Sequence, residues 1–120
     1  MIDILPESHG NILGIQATGM LTDQDYQTVL IPRLEEIIHE YAKARVLFLM
    51  DQDFHGWELD AMWDDAKFGA AHRHDFEKFA LVGGPRWVEW GAKLGALFMK
   101  TQLRTFSHDQ FQEAWAWIQL

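Results

Sequence analysis

The sequence predicts an α/β domain of about five strands, in a mixed and mostly parallel sheet with helices on both faces. Three observations carry that expectation. Arg45-Val46-Leu47-Phe48-Leu49-Met50-Asp51 sets five apolar residues between an Arg and an Asp. The run is too short for a membrane span, which takes ~20 apolar residues. It lacks the alternation of a strand with one wet face, so it reads as a strand covered on both sides. Second, β-favouring segments alternate with segments of helical period in the order β-β-α-β-α-β-α-β-α, which implies right-handed crossovers and parallel pairing. Third, the chain has 120 residues, with no linker, repeat or low-complexity tract. That is the size of one domain, typically ~100–150 residues, spanning 1–120.

The elements follow in order. Met1–Leu5 carries Ile2 and Ile4 and reads as a short edge strand stopped by Pro6. Ser8-His9-Gly10-Asn11 is a turn, with His9 solvated, leading into a strand over 12–18 that Gly19 ends. Thr22 is placed to cap a helix, with Asp25 three residues on where a capping box needs an acid. Tyr26, Leu30, Leu34, Ile37, Ile38 and Tyr41 recur at helical spacing to about Lys43, and Pro32 inside this run predicts a kink. The strand at 45–51 follows, and 52–57 is expected to be a loop beyond its carboxyl end, where open α/β sheets gather ligands. A helix over 59–74 is expected to bury Leu59, Met62, Trp63, Ala66 and Ala70, leaving Phe68 on the wet side. Strand 76–82, a break at Gly83-Gly84-Pro85, helix 86–100 and strand 102–106 come next. Ser107 or His108 caps a final helix that buries Phe111, Ala114, Trp115 and Ile118.

Composition narrows the function. There is no cysteine, hence no disulfide framework or thiol chemistry. The N-terminus lacks the basic start and apolar run of a signal peptide, and the expected home is the cytoplasm. A net charge of −8 argues against a nucleic-acid partner, which needs clustered Lys and Arg. Six tryptophans are a heavy load, and Trp favours cores, pockets and interfaces.

Local patterns spread along the chain resemble one family. They are Gly19-Met20-Leu21-Thr22-Asp23-Gln24-Asp25-Tyr26, Pro32-Arg33-Leu34-Glu35, Phe54-His55-Gly56-Trp57, Trp63-Asp64-Asp65-Ala66-Lys67, Phe79-Ala80-Leu81-Val82-Gly83 and Glu113-Ala114-Trp115-Ala116-Trp117-Ile118. In this order they are similar to the SpoIIAA-like family, relatives of the STAS domains of anti-sigma-factor antagonists. The resemblance implies a compact α/β domain without established enzymatic activity, for which hydrophobic-ligand binding and membrane association have been suggested. The sporulation antagonists carry a phosphorylatable Ser at the helix after the central strand. Here Asp51 to Asp65 holds no Ser or Thr, so that phosphate switch does not transfer.

No catalytic set stands out. Asp51, Asp53 and His55 alternate, and His72 and His74 follow later, all metal ligands in principle. The two His are i,i+2 and point to different helix faces, so no metal is expected. The two serines, Ser8 and Ser107, sit in no nucleophile elbow. Val82-Gly83-Gly84-Pro85-Arg86 is neither a P-loop nor a dinucleotide fingerprint and reads as a tight turn. No cofactor is expected.

The stretch 86–100 is the informative one. Arg86, Glu89, Lys93 and Lys100 form a narrow strip, and the remaining arc of roughly 220° is apolar or small, against the ~100° that covering a sheet takes. The expectation is a non-enzymatic binding module with an apolar cleft between helices 59–74 and 86–100. Its ligand-binding residues would be Phe54, Trp57, Met62, Trp63, Trp87, Trp90, Leu94 and Phe98. An apolar small molecule, lipid or peripheral membrane contact would fill it. The alternative is a STAS-like interaction domain that docks a protein partner or forms a homodimer, without the Ser phospho-switch.

Overall fold

Both faces of the central strand are covered, as the apolar run demands. The computed structural model describes residues 1–72, 74–84 and 102–120. Its strands are β1 (Ile2–Ile4), β2 (Ile12–Leu21), β3 (Ala44–Trp57), β4 (Phe76–Gly83) and β5 (Gln102–Phe106), in spatial order β1-β2-β3-β4-β5. β1 runs antiparallel to β2 and every other neighbouring pair is parallel. The helices are α1 (Asp23–Asp25), α2 (Ile31–Tyr41), α3 (Leu59–Ala71) and α4 (Phe111–Gln119). The expected helix at 86–100, with Trp87, Trp90, Leu94 and Phe98, lies outside the described residues.

Period-2 alternation along β3 sends Val46, Phe48 and Met50 into one core, with Leu13, Ile15, Leu34 and Leu81. Leu47 faces the other core, with Ala80, Val82, Ala114 and Ile118, and Leu49 packs against it half-buried. α4 covers this second face. Its last turn carries no basic residue, yet Lys78 Nζ donates to the Trp117 carbonyl (3.1 Å) and Arg45 Nη1 to that of Ile118 (3.0 Å). Two sheet cations thus meet the carbonyls at the helix end, Lys78 adding to the bond that the Leu120 N–H already makes with Trp117. Lys78 is only 7% exposed, and its charge is also met by the Trp117 ring 4.9 Å away. Arg45 is held by a two-pronged pair to Glu77 at 3.1 and 3.2 Å.

Three local expectations are corrected. Gly19 does not end β2. At φ +62° it forms a bulge, after which Gly19, Met20 and Leu21 pair with Phe54, Gly56 and Trp57. The segment 52–57 is therefore not a loop but the continuation of β3, with Phe54 and Gly56 turned inward. Pro32, expected to kink the interior of one helix, lies instead at the start of α2. A π-helical turn at Tyr26–Leu30 precedes it, the Ile31 N–H bonds back to Tyr26, and Pro32 falls in the first turn of α2, where its missing N–H costs little.

The Thr22 cap forms as the spacing predicts. Its hydroxyl accepts from the Asp25 N–H (3.2 Å), and Asp25 Oδ2 accepts from the Thr22 N–H (2.9 Å). Burial pushes the Asp25 carboxyl up, but the bonds from the Thr22 backbone and hydroxyl, together with the N-terminal ammonium 3.3 Å away, hold the group below its usual value. A depressed carboxylate stabilises the fold above its unfolded pKa, and that stabilisation is lost as pH falls through the folded pKa. Asp25→Ala is expected to cost about 1 kcal/mol at pH 7. In urea titrations across the acid range, the gap from wild type should close as the pH drops below the ordinary carboxylate range. At the carboxyl end of β4, His108 Nε2 donates to the Met50 carbonyl and the ring lies over Gly83, at φ +75°. A Cβ at Gly83 would enter the imidazole, so Gly83→Ala is expected to lose about 1–3 kcal/mol in thermal denaturation.

Candidate functional site

The site grows from a buried hydroxyl. Tyr26 opens the π-helical turn and is 1% exposed. A buried hydroxyl must find partners or lose the bonds it made in water. Tyr26 finds two: Trp57 Nε1, at the end of β3, donates to its oxygen at 2.7 Å, and the hydroxyl donates to Asp65 Oδ1 on α3 at 3.0 Å. Burial, then the Asp65 charge, pushes the Tyr26 hydroxyl far above its usual range and keeps it a donor. Desolvation raises the Asp65 carboxyl and the Tyr26 bond opposes it. Asp65 as a whole residue is exposed, so water screens much of that penalty and only its direction matters. Next to it, Gln27 Nε2 donates to Asp64 Oδ1 at 3.2 Å. A hydrogen bond with Asp64 raises the carboxyl of exposed Asp23, on α1. Two consecutive acids of α3 therefore face the first helical segment.

That contact fixes the rotation of α3 and overturns the expected burial. Ala61 is fully buried and Phe68 packs on the core, edge-on to Phe76 and against His72. The stripe expected inside points outward: Leu59 is 78% exposed, Met62 53% and Trp63 63%, and Ala66 and Ala70 are exposed as well. The sequence placed the stripe correctly on the helix but on the wrong side of it. Asp64 and Asp65 are needed by Gln27 and Tyr26, and those residues lie on the opposite face from the stripe. Met20, at the end of β2, is exposed too.

The predicted residues thus divide. Phe54 and Trp57 meet inside, 5.1 Å apart and edge-on, with Phe48 stacked on Trp57 at 6.2 Å. Met62 and Trp63 sit on the outer stripe. Tyr26, Asp64 and Asp65 were missed as a group. Their signal was the acid pair flanked by Trp63 and Ala66, which makes sense only if a donor faces it. Among the described residues no three carboxylate or imidazole groups converge as metal ligands, and no helix is long and apolar enough to cross a membrane.

Tyr26→Phe keeps the ring and removes the hydroxyl, leaving Trp57 Nε1 and Asp65 without this partner. The expected cost is about 1–3 kcal/mol in urea unfolding, against the few tenths expected for a surface Tyr such as Tyr41.

Residues 12–119 match the family model described as SpoIIAA-like. A crystal structure from Shewanella loihica PV-4, an uncharacterised protein of the DUF3478 family with a SpoIIAA-like fold, superposes with a TM-score of 0.75 at 27% identity. The match covers 98% of this chain and 93% of that one. No curated protein matches the chain. With the family pattern extending over nearly its whole length, the chain belongs to the SpoIIAA-like family.

Proposed function

We propose that the protein is a non-enzymatic binding and regulatory module, and that the outer stripe of α3 is its contact surface. The observation that carries the reading is the orientation of α3, which turns Leu59, Met62, Trp63, Ala66 and Ala70 to solvent while Asp64 and Asp65, on the other side, bond to Gln27 and Tyr26. Single exposed apolar residues are ordinary, but five on one helix face form a continuous patch. Met and Trp are enriched in interface cores, and Glu58, Asp60 and Lys67 supply a polar rim. A helix face with apolar residues at positions i, i+3, i+4 and i+7 suits a protein helix laid against it. The family resemblance to interaction domains of the STAS type agrees with this.

A second reading has its own support in the sequence. Trp87, Trp90, Leu94 and Phe98 beside Lys93 and Lys100 would favour an apolar ligand or an anionic membrane surface, with the protein cytoplasmic and peripheral to the membrane. The α3 stripe argues against anionic headgroups, because Glu58 and Asp60 border it.

Hydroxyl-radical footprinting of dilute protein tests the first reading. Met62 and Trp63 are expected to oxidise as fast as other exposed side chains, while Met50 stays protected. Protection of Met62 and Trp63 in the dilute monomer would show the stripe covered within the chain and would end the docking reading. Tryptophan emission tests the second. If anionic vesicles or a long-chain fatty acid shift it, and Trp90→Ala with Leu94→Ala removes the shift, the occupant is lipid rather than protein.

A further inference from the structure

We propose that the α3 stripe docks on a second copy of this chain, as an antiparallel α3–α3 pair about a two-fold axis. The proposal rests on the reading of the stripe as a docking surface and names what occupies it.

The argument is the order of side-chain sizes along the stripe. Its N-terminal half carries the large residues Leu59, Met62 and Trp63, and its C-terminal half carries Ala66, Gly69 and Ala70. A two-fold interface must be self-complementary: if one residue meets a second on the partner, the second meets the first. Two copies laid antiparallel, with the axis between positions 64 and 65, satisfy this. Trp63 then falls opposite the partner's Ala66, and Leu59 opposite the partner's Ala70. Large side chains of each helix enter the space left by the small ones of the other, as close helix packing requires. The 13-residue helix is about 20 Å long, enough for both pairs of contacts.

Charge points the same way. Asp60 and Lys67 are seven residues apart, so they lie on the same flank of α3, and both are exposed. In an antiparallel pair like flanks meet, which brings Asp60 towards the partner's Lys67 and, by symmetry, Lys67 towards the partner's Asp60. A parallel pair would instead stack Trp63 on Trp63 and bring unlike flanks together, which separates Asp60 from the partner's Lys67. Lys67 is the one cation within α3, and its ammonium already lies 6.0 Å from the Trp63 ring, at the border of the stripe. The surface is small, so the pair belongs with weak interfaces burying under about 1,200 Å².

Sedimentation velocity of the full chain, from about 5 to 500 μM, a range suited to a weak contact, tests the pairing. The expected result is a reversible monomer–dimer equilibrium that Ala66→Glu abolishes. Asp60→Lys and Lys67→Asp should each weaken the dimer about tenfold, since each replaces two attractions by two repulsions, and the double reversal should restore it. All three positions are exposed, and circular dichroism of each variant checks that the fold is kept. Monomer at every concentration, a dimer indifferent to Ala66→Glu, or a double reversal that fails to restore association would each overturn the proposal. Monomer with Met62 and Trp63 open to oxidation ends the pairing but leaves the stripe a docking surface for another partner. Monomer with both protected ends both readings.

Discussion

The hydroxyl of Tyr26 sets the orientation of α3, and the chemistry of the surface follows from it. A phenol that is 1% exposed cannot be left without partners, and the two it has come from different layers. Trp57 belongs to the sheet and Asp65 to α3. The chain Trp57–Tyr26–Asp65 therefore ties the far end of β3, the first helical segment and α3 together. Rotating α3 by half a turn would bury Leu59, Met62 and Trp63, a gain of roughly 1.5–3 kcal/mol for each large side chain. It would also bring apolar groups to the buried Tyr26 hydroxyl and take away its acceptor, at about 1–3 kcal/mol. Area favours the rotated helix, and the partners required by the buried Tyr26 hydroxyl oppose it.

This is also where the sequence stopped being legible. The 45–51 strand was readable because a continuous apolar run has one meaning in a chain of this length: both faces are covered. α4 was readable because Ala114 and Ile118 sit on its one apolar face, with no competing polar demand. For α3, periodicity located the stripe but could not say which side it faced. That was decided by partners 39 and 37 positions away in the chain, Tyr26 for Asp65 and Gln27 for Asp64. Phe68 was misread for the same reason. The extension of β3 through Trp57 was hidden because Gly19, a strand terminator by propensity, serves as a bulge that lets β2 continue beside it. Pro32 was read correctly as incompatible with an ordinary helix interior, but a π-helical turn absorbed it.

The distribution of cations reinforces the contrast between the two faces of the sheet. The chain has 10 Lys and Arg against 18 Asp and Glu. Three of the cations converge on α4: Arg45 and Lys78 on its terminal carbonyls, and Arg104 near the rings of Phe106 and Trp117. Together with the Arg45–Glu77 pair they pin the last helix to the sheet, where a lost partner would strand a half-buried charge. On the α3 side the charges are mostly carboxylates, and two of these are used inward. The α4 face is thus closed by cations drawn from the sheet, whereas the α3 face presents an apolar centre inside a sparse, mostly acidic rim.

That rim discriminates between possible occupants. An anionic membrane would approach Glu58 and Asp60 with headgroups of the same sign, and a basic helix would be drawn to them but would meet Lys67. A rim with Asp60 and Lys67 one heptad apart on one flank is matched by its own reverse, and by few other surfaces as simply. Binding at such a face does not first require ordering the helix that carries it. The Tyr26–Asp65 and Gln27–Asp64 bonds hold α3 from behind, on the side away from the stripe, so little conformational freedom remains to be lost when the stripe is covered. The acids that prevent the apolar stripe from joining the core are therefore the groups that present it in a fixed position. In this domain the pairing of one buried tyrosine and the exposure of an apolar helix face are two consequences of the same rotation of α3.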